Sequence, residues 1–107
     1  YHWNVEGKHF NDLHKFFSDL YTKQQANIDL IAERIRALGV TVASTLKEFS
    51  SMATLTEQTN DTLDEQGMIA SLLNDYQVII AQLYTDLAFA NEQGDVATNN
   101  FLIDLVF

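Results

Sequence analysis

The chain has 107 residues, enough for one domain, and its 47% hydrophobic content is ordinary globular composition rather than disorder. Cysteine and proline are both absent, which excludes disulfides, thiolate metal sites, iron–sulfur clusters and cysteine nucleophiles. Six Lys+Arg stand against 15 Asp+Glu for a formal net charge of −9, and residues 48–107 carry 10 of the acids and no base. Such a surface attracts cations and repels phosphate backbones, so DNA binding through this segment is not expected.

No apolar run approaches the roughly 20 residues that cross a bilayer, and no signal-peptide pattern opens the chain, so no membrane partner is expected. The sequence opens on Tyr1 rather than Met and stops at Phe107 inside an apolar helical pattern. It therefore reads as the interior portion of a longer chain, with residues 1–107 forming a single domain.

In chain order, Tyr1-His2-Trp3-Asn4 reads as the last turn of a helix that ends before Gly7. Between Gly7 and Gly39 the apolar residues Leu13, Phe16, Phe17, Leu20, Tyr21, Ile28, Ile31, Ile35 and Leu38 recur in steps of mostly three and four, the period of a helix. Asn11 or Asp12 is the expected cap at its start, and Gly39 suits a left-handed stop. The segment 40–60 is weakly periodic, and Thr45-Leu-Lys-Glu48 is a capping box before a helix of about two turns. A second long helix is expected from Asp61-Thr62, where Thr62-Leu-Asp-Glu65 is another capping box, to Gly94. Its stripe is Ile69, Leu72, Leu73, Tyr76, Ile80, Leu83, Leu87 and Ala90; Gly67 inside it costs about 1 kcal/mol against alanine with no reason legible in the sequence. Asp95 is the expected cap of a last helix carrying Phe101, Leu102, Leu105 and Val106. Two helices of roughly 28–30 residues are each about 42–45 Å long, which suits an all-α bundle in which the 40–60 connection travels the bundle length.

The nucleotide-binding and zinc-protease motifs G-x-G-x-x-G, P-loop and H-E-x-x-H are missing. Metal or acid–base chemistry therefore falls to carboxylates and to His2, His9 and His14. At about 100° per residue, Ser18, Asp29 and Glu33 lie within roughly 100° of His14, so one stripe holds an imidazole at one end and two carboxylates at the other. Asp29 and Glu33 are four apart and can share an ion. Histidines at a helix end are also common surface or capping residues, and Asp29 and Glu33 also fit a solvated face beside Arg34 and Arg36. His14 and Glu33, about 28 Å apart along the axis, meet only when two copies pack antiparallel about a two-fold axis. Imidazole nitrogen with carboxylate oxygen suits Fe(II), Zn or Mn better than Mg or Ca. Glu6-Gly-Lys-His9 has the letters of a ferritin Glu-x-x-His pair, but Gly7 puts it in a turn, and it is taken as chance.

Tyr1-His2-Trp3-Asn4-Val5-x-Gly7, Phe10, Leu13-His14, then Ile28-Asp29-x-Ile31-Ala32-Glu33-Arg34-Ile35-x-x-Leu38-Gly39, resembles the Dps family of mini-ferritins. Gly94-Asp95-x-x-Thr98-x-x-x-Leu102 is similar to the turn into that family's last helix. The resemblance covers nearly the whole chain and is weakest over 40–60. It implies a ferritin-like four-helix bundle, first and last helices cut short here, with a short helix in the long connection. It also implies a homo-oligomeric hollow dodecamer that oxidises Fe(II) with hydrogen peroxide or dioxygen and stores ferric mineral in the cytoplasm of a bacterium or archaeon. Carried over by position, His2 and His14 are metal ligands from one subunit, Asp29 and Glu33 are ligands from its partner, and Trp3 supplies or traps an electron beside the centre. Packing is the plainer role for Trp3.

One position departs from the pattern, for Ser18 stands where the family carries an acid, and a neutral hydroxyl cannot replace that charge. The competing reading is therefore a cage with an impaired centre, acting as a metal-binding or, through tails outside this sequence, DNA-associated stress protein. Asp95 and Asp104 are the candidates for carboxylates in an entry pore or on an inner wall.

Overall fold

Three glycines with positive φ, Gly7 (+130°), Gly39 (+87°) and Gly94 (+73°), punctuate the chain, and the helices lie between them. The computed structural model describes residues 1–58 and 63–106. The elements are α1 (Phe10–Ala37), α2 (Leu46–Met52), α3 (Glu65–Glu92) and α4 (Val96–Val106), with no strand among the described residues. Both long helices have 28 residues, the length expected from the apolar spacing. The chain divides into two units, Tyr1–Met68 and Ile69–Phe107.

In the first unit, the Val5 N–H donates to the Tyr1 carbonyl at 3.0 Å, a bond of helical spacing that agrees with a helix-end turn at the start. Val5 and Phe17, 2% and 3% exposed, are buried here, and the Tyr1 and Phe17 rings meet at 5.9 Å. The start of α1 differs from expectation. Its N-cap is His9, with no side-chain cap, and Asn11 and Asp12 are already inside the helix. The Phe10 N–H bonds the Gly7 carbonyl and the Leu13 N–H bonds the His9 carbonyl, so the glycine turn begins the helix earlier than the polar residues would. Asp12 is left in the first turn, where a negative charge suits the helix dipole.

Gly39 ends α1 as expected. Its N–H bonds the Arg36 carbonyl at 3.0 Å and the Val40 N–H bonds the Ile35 carbonyl at 3.3 Å, the paired bonds of a Schellman stop that only a left-handed residue closes cheaply. At α2 the expected cap forms, with the Thr45 hydroxyl oxygen accepting from the Glu48 N–H at 3.2 Å and its hydrogen going to the Glu48 carboxylate at 2.8 Å.

Asp61 and Thr62, expected to open α3, lie outside the described residues. Within them the cap is Asp64, whose Oδ1 accepts from the Gly67 N–H at 2.8 Å. This supplies the reason for Gly67 that the sequence lacked. A Cβ there would stand 3.1 Å from that same Oδ1 and 3.2 Å from Leu63 Cδ2, so glycine lets the cap close against its own N–H.

In the second unit the α3–α4 corner is three residues, Gln93, Gly94 and Asp95. The Gly94 N–H bonds the Asn91 carbonyl and the Asp95 N–H bonds the Ala90 carbonyl at 2.9 Å, a second Schellman stop. Asp95 then opens α4, its Oδ1 accepting from the Thr98 N–H at 3.0 Å and its Oδ2 from the Thr98 hydroxyl at 2.6 Å. The Asn99 amide reaches back to the Leu87 carbonyl at 2.7 Å and ties α4 to α3.

The long apolar stripes are only partly covered. On α1 Phe17 is buried, but Ile28 is 65% exposed, and Phe16, Tyr21, Ile31 and Leu38 are exposed with it. On α3 Ala90 is buried, Leu72, Tyr76, Leu83 and Leu87 are half-buried, and Ile69, Leu73 and Ile80 are exposed.

Candidate metal centre

The turn at residues 1–5 and the second turn of α1 bring His2 and His14 face to face. Their rings stack with centroids 3.9 Å apart and an interplanar angle of 21°. Each locks the other through the backbone: His2 Nδ1 bonds the His14 carbonyl, and His14 Nδ1 bonds the His2 carbonyl, both at 2.7 Å. A carbonyl only accepts, so both Nδ1 atoms carry hydrogen, and in the neutral ring each Nε2 is left with a free lone pair. This is the form a metal-binding imidazole takes when its other nitrogen is held by an outer partner.

Two further rings flank the pair. Phe10 stacks on His14 at 5.0 Å, and Tyr21 tilts against His2 at 5.5 Å. Sequence reasoning placed Tyr21 only in the apolar stripe; its seven-residue spacing from His14, two helical turns, was the signal available for its place here. Ser18, one turn beyond His14, is half-buried, and its hydroxyl makes no hydrogen bond among the described residues. Trp3 is 88% exposed and stacks on no ring among the described residues.

Asp29 and Glu33 lie further along the same uninterrupted helix, exposed, and neither side chain forms a hydrogen bond or ion pair among the described residues. Arg36 gives its Nη1 to the Val40 carbonyl at 3.2 Å instead. Because α1 runs unbroken from His14 to Glu33, the two halves of the expected ligand set stay about 28 Å apart in one chain. Accordingly, no group of three His, Asp or Glu side chains converges among the described residues. His9, the third histidine, is engaged elsewhere: its Nδ1–H donates to the Glu65 carboxylate at 2.8 Å. The raised pKa of Lys15 likewise belongs to a surface pair, caused by its hydrogen bond to Asp19 and that carboxylate's charge.

Two long helices, a short helix in their connection and an imidazole pair facing the chain's own first turn define a class. The sequence profile of the ferritin-like domain matches residues 1–106. Within that class the chain belongs to the Dps family. It is 32% identical over 105 residues to the DNA protection during starvation protein 2 of Bacillus anthracis, covering 98% of this chain and 71% of that one. A low temperature-induced protein of Nostoc is 36% identical over 107 residues, and the chain spans 60% of its length. The Dps protein of Vibrio cholerae, described as one of the ferritin-like diiron-carboxylate proteins, superposes with a TM-score of 0.94 at 31% identity, over 99% of this chain and 66% of that one.

Proposed function

We propose that this chain oxidises Fe(II) at sites shared between two copies and stores the ferric product inside a hollow homo-oligomer, a dodecamer by its family resemblance. The observation that carries the reading is the reciprocal lock of His2 and His14. It presents two Nε2 lone pairs at one end of α1, while the Asp29 and Glu33 carboxylates, without a partner among the described residues, stand towards the other. A second copy related by a two-fold axis lays its acidic end against the imidazole end, which makes the dimer the smallest functional unit.

Iron is the substrate. Two Fe(II) give one electron each to hydrogen peroxide, yielding two Fe(III) and two hydroxide ions, so no hydroxyl radical is released. His2 and His14 supply neutral donors already fixed in tautomer and orientation, and Asp29 and Glu33 supply the negative charge that favours Fe(III). On this reading Trp3, next to His2 in the chain, supplies or traps an electron beside the centre. The inner wall and pores draw on the acidic second half, Asp104 included.

Ser18 favours a second reading, a metal-binding stress protein with a weakened centre, because one charge is missing a single turn from His14. Adding Fe(II) and peroxide to the protein and following ferric absorbance separates them. On the first reading the parent oxidises iron, Ser18→Asp is faster, and Glu33→Gln loses most of the rate. A parent that is inactive until Ser18→Asp is made establishes the second. If neither substitution has an effect, the site is wrong.

A further inference from the structure

His2 reaches His14 only through the residues between them, and that stretch is gripped from outside. Glu65, the first residue of α3, accepts from the His9 ring at 2.8 Å and from the His9 backbone N–H at 3.4 Å. The same carboxylate lies against Gly7, whose hydrogen leaves the only space for it; a Cβ at Gly7 would run into Glu65. The Glu65 side chain is 17% exposed against 59% for His9, so the acid is the fixed member and the imidazole the outer one. It is also the acidic residue of the first turn of α3, where the helix dipole holds a negative charge in place.

We propose that Glu65 is a positioning residue for the His2–His14 pair. By fixing the path of Gly7–His9 it sets the height of the first turn over α1, and with it the two 2.7 Å bonds that choose the tautomers. Those bonds tolerate little displacement: a contact at about 3.6 Å is no longer a hydrogen bond, so a backbone shift of roughly 1 Å from 2.7 Å releases both rings. Burial of Val5 anchors the turn at its middle, and Glu65 anchors it where it joins α1. The inference rests on the reading of His2 and His14 as metal ligands.

The test uses Co(II), added to the assembled, metal-free protein and followed by its visible absorption, whose shape reports donor geometry as well as occupancy. The parent is expected to give a band that His2→Ala abolishes. Glu65→Ala should raise the Co(II) dissociation constant about tenfold, the lower end of what outer partners of ligating histidines contribute. It should also change the band shape. Glu65→Gln, which keeps an acceptor for His9 in the same space, should return both to near the parental values. His9→Ala, at an exposed position, should weaken Co(II) about threefold, and it keeps the test open should Glu65→Ala fail to assemble. A parental constant and spectrum in Glu65→Ala, or in His9→Ala where only that variant assembles, overturns the role of Glu65 and leaves the metal reading intact. Absence of a His2-dependent band in the parent overturns the metal reading, and this inference with it.

Discussion

Asp95 does two jobs at the α3–α4 corner, and removing its side chain separates them. In Asp95→Ala the backbone N–H still closes α3 on the Ala90 carbonyl, but the Thr98 N–H and hydroxyl lose their acceptor. Loss of an N-cap side chain costs about 1 kcal/mol, and loss of a negative charge at a helix start about 0.5 kcal/mol more. Unfolding entropy near 2.1 cal/mol/K per residue gives about 225 cal/mol/K for 107 residues, so 1.5 kcal/mol lowers Tm by about 7 °C. Asp95→Asn keeps an oxygen for the Thr98 N–H but loses the charge and the second oxygen that accepts from the Thr98 hydroxyl, so its Tm should fall by more than the roughly 2 °C of the charge alone and by less than in Asp95→Ala. Calorimetry on metal-free protein reads both, with parent and variants held at one concentration because the Tm of an associating protein depends on it. An Asp95→Ala melting within 2 °C of the parent would refute the capping account. The pair also tests the expected pore role: if Asp95→Asn melts near the parent yet takes up iron more slowly, the charge serves the pore as well as the cap.

At Gly67 the usual gain of about 1 kcal/mol from alanine in a helix should not appear, because the new Cβ crowds the Asp64 oxygen and Leu63; a Gly67→Ala Tm several degrees above the parent would refute that crowding. For Lys15, whose pKa is raised by Asp19, the pair's small contribution is present below the ordinary lysine value of 10.5 and is lost as pH rises through the raised one. Both side chains are exposed, so Lys15→Met should leave the neutral-pH melt unchanged, and any difference from the parent should shrink as pH rises through the raised lysine pKa.

The sequence by itself determined most of the local structure. Spacing of apolar residues at three and four gave two long helices, both of which form with 28 residues, and Gly39, Gly94, Thr45 and Asp95 marked ends and starts that hydrogen bonds now account for. Such signals are legible because capping and left-handed stops involve residues within about five positions of one another. The same arithmetic along α1 showed that His14 and Glu33 cannot meet in one chain.

What only the tertiary structure decided is contact between residues far apart in sequence. Nothing in the letters says that His2 and His14 lock each other's tautomers across twelve positions. Nor do they say that Glu65 fills the space beside Gly7 across 58, or that α1 begins on a glycine turn rather than at Asn11. Periodicity gives the face on which a side chain stands; the partner on that face depends on how distant segments pack, and short-range pattern carries no record of it.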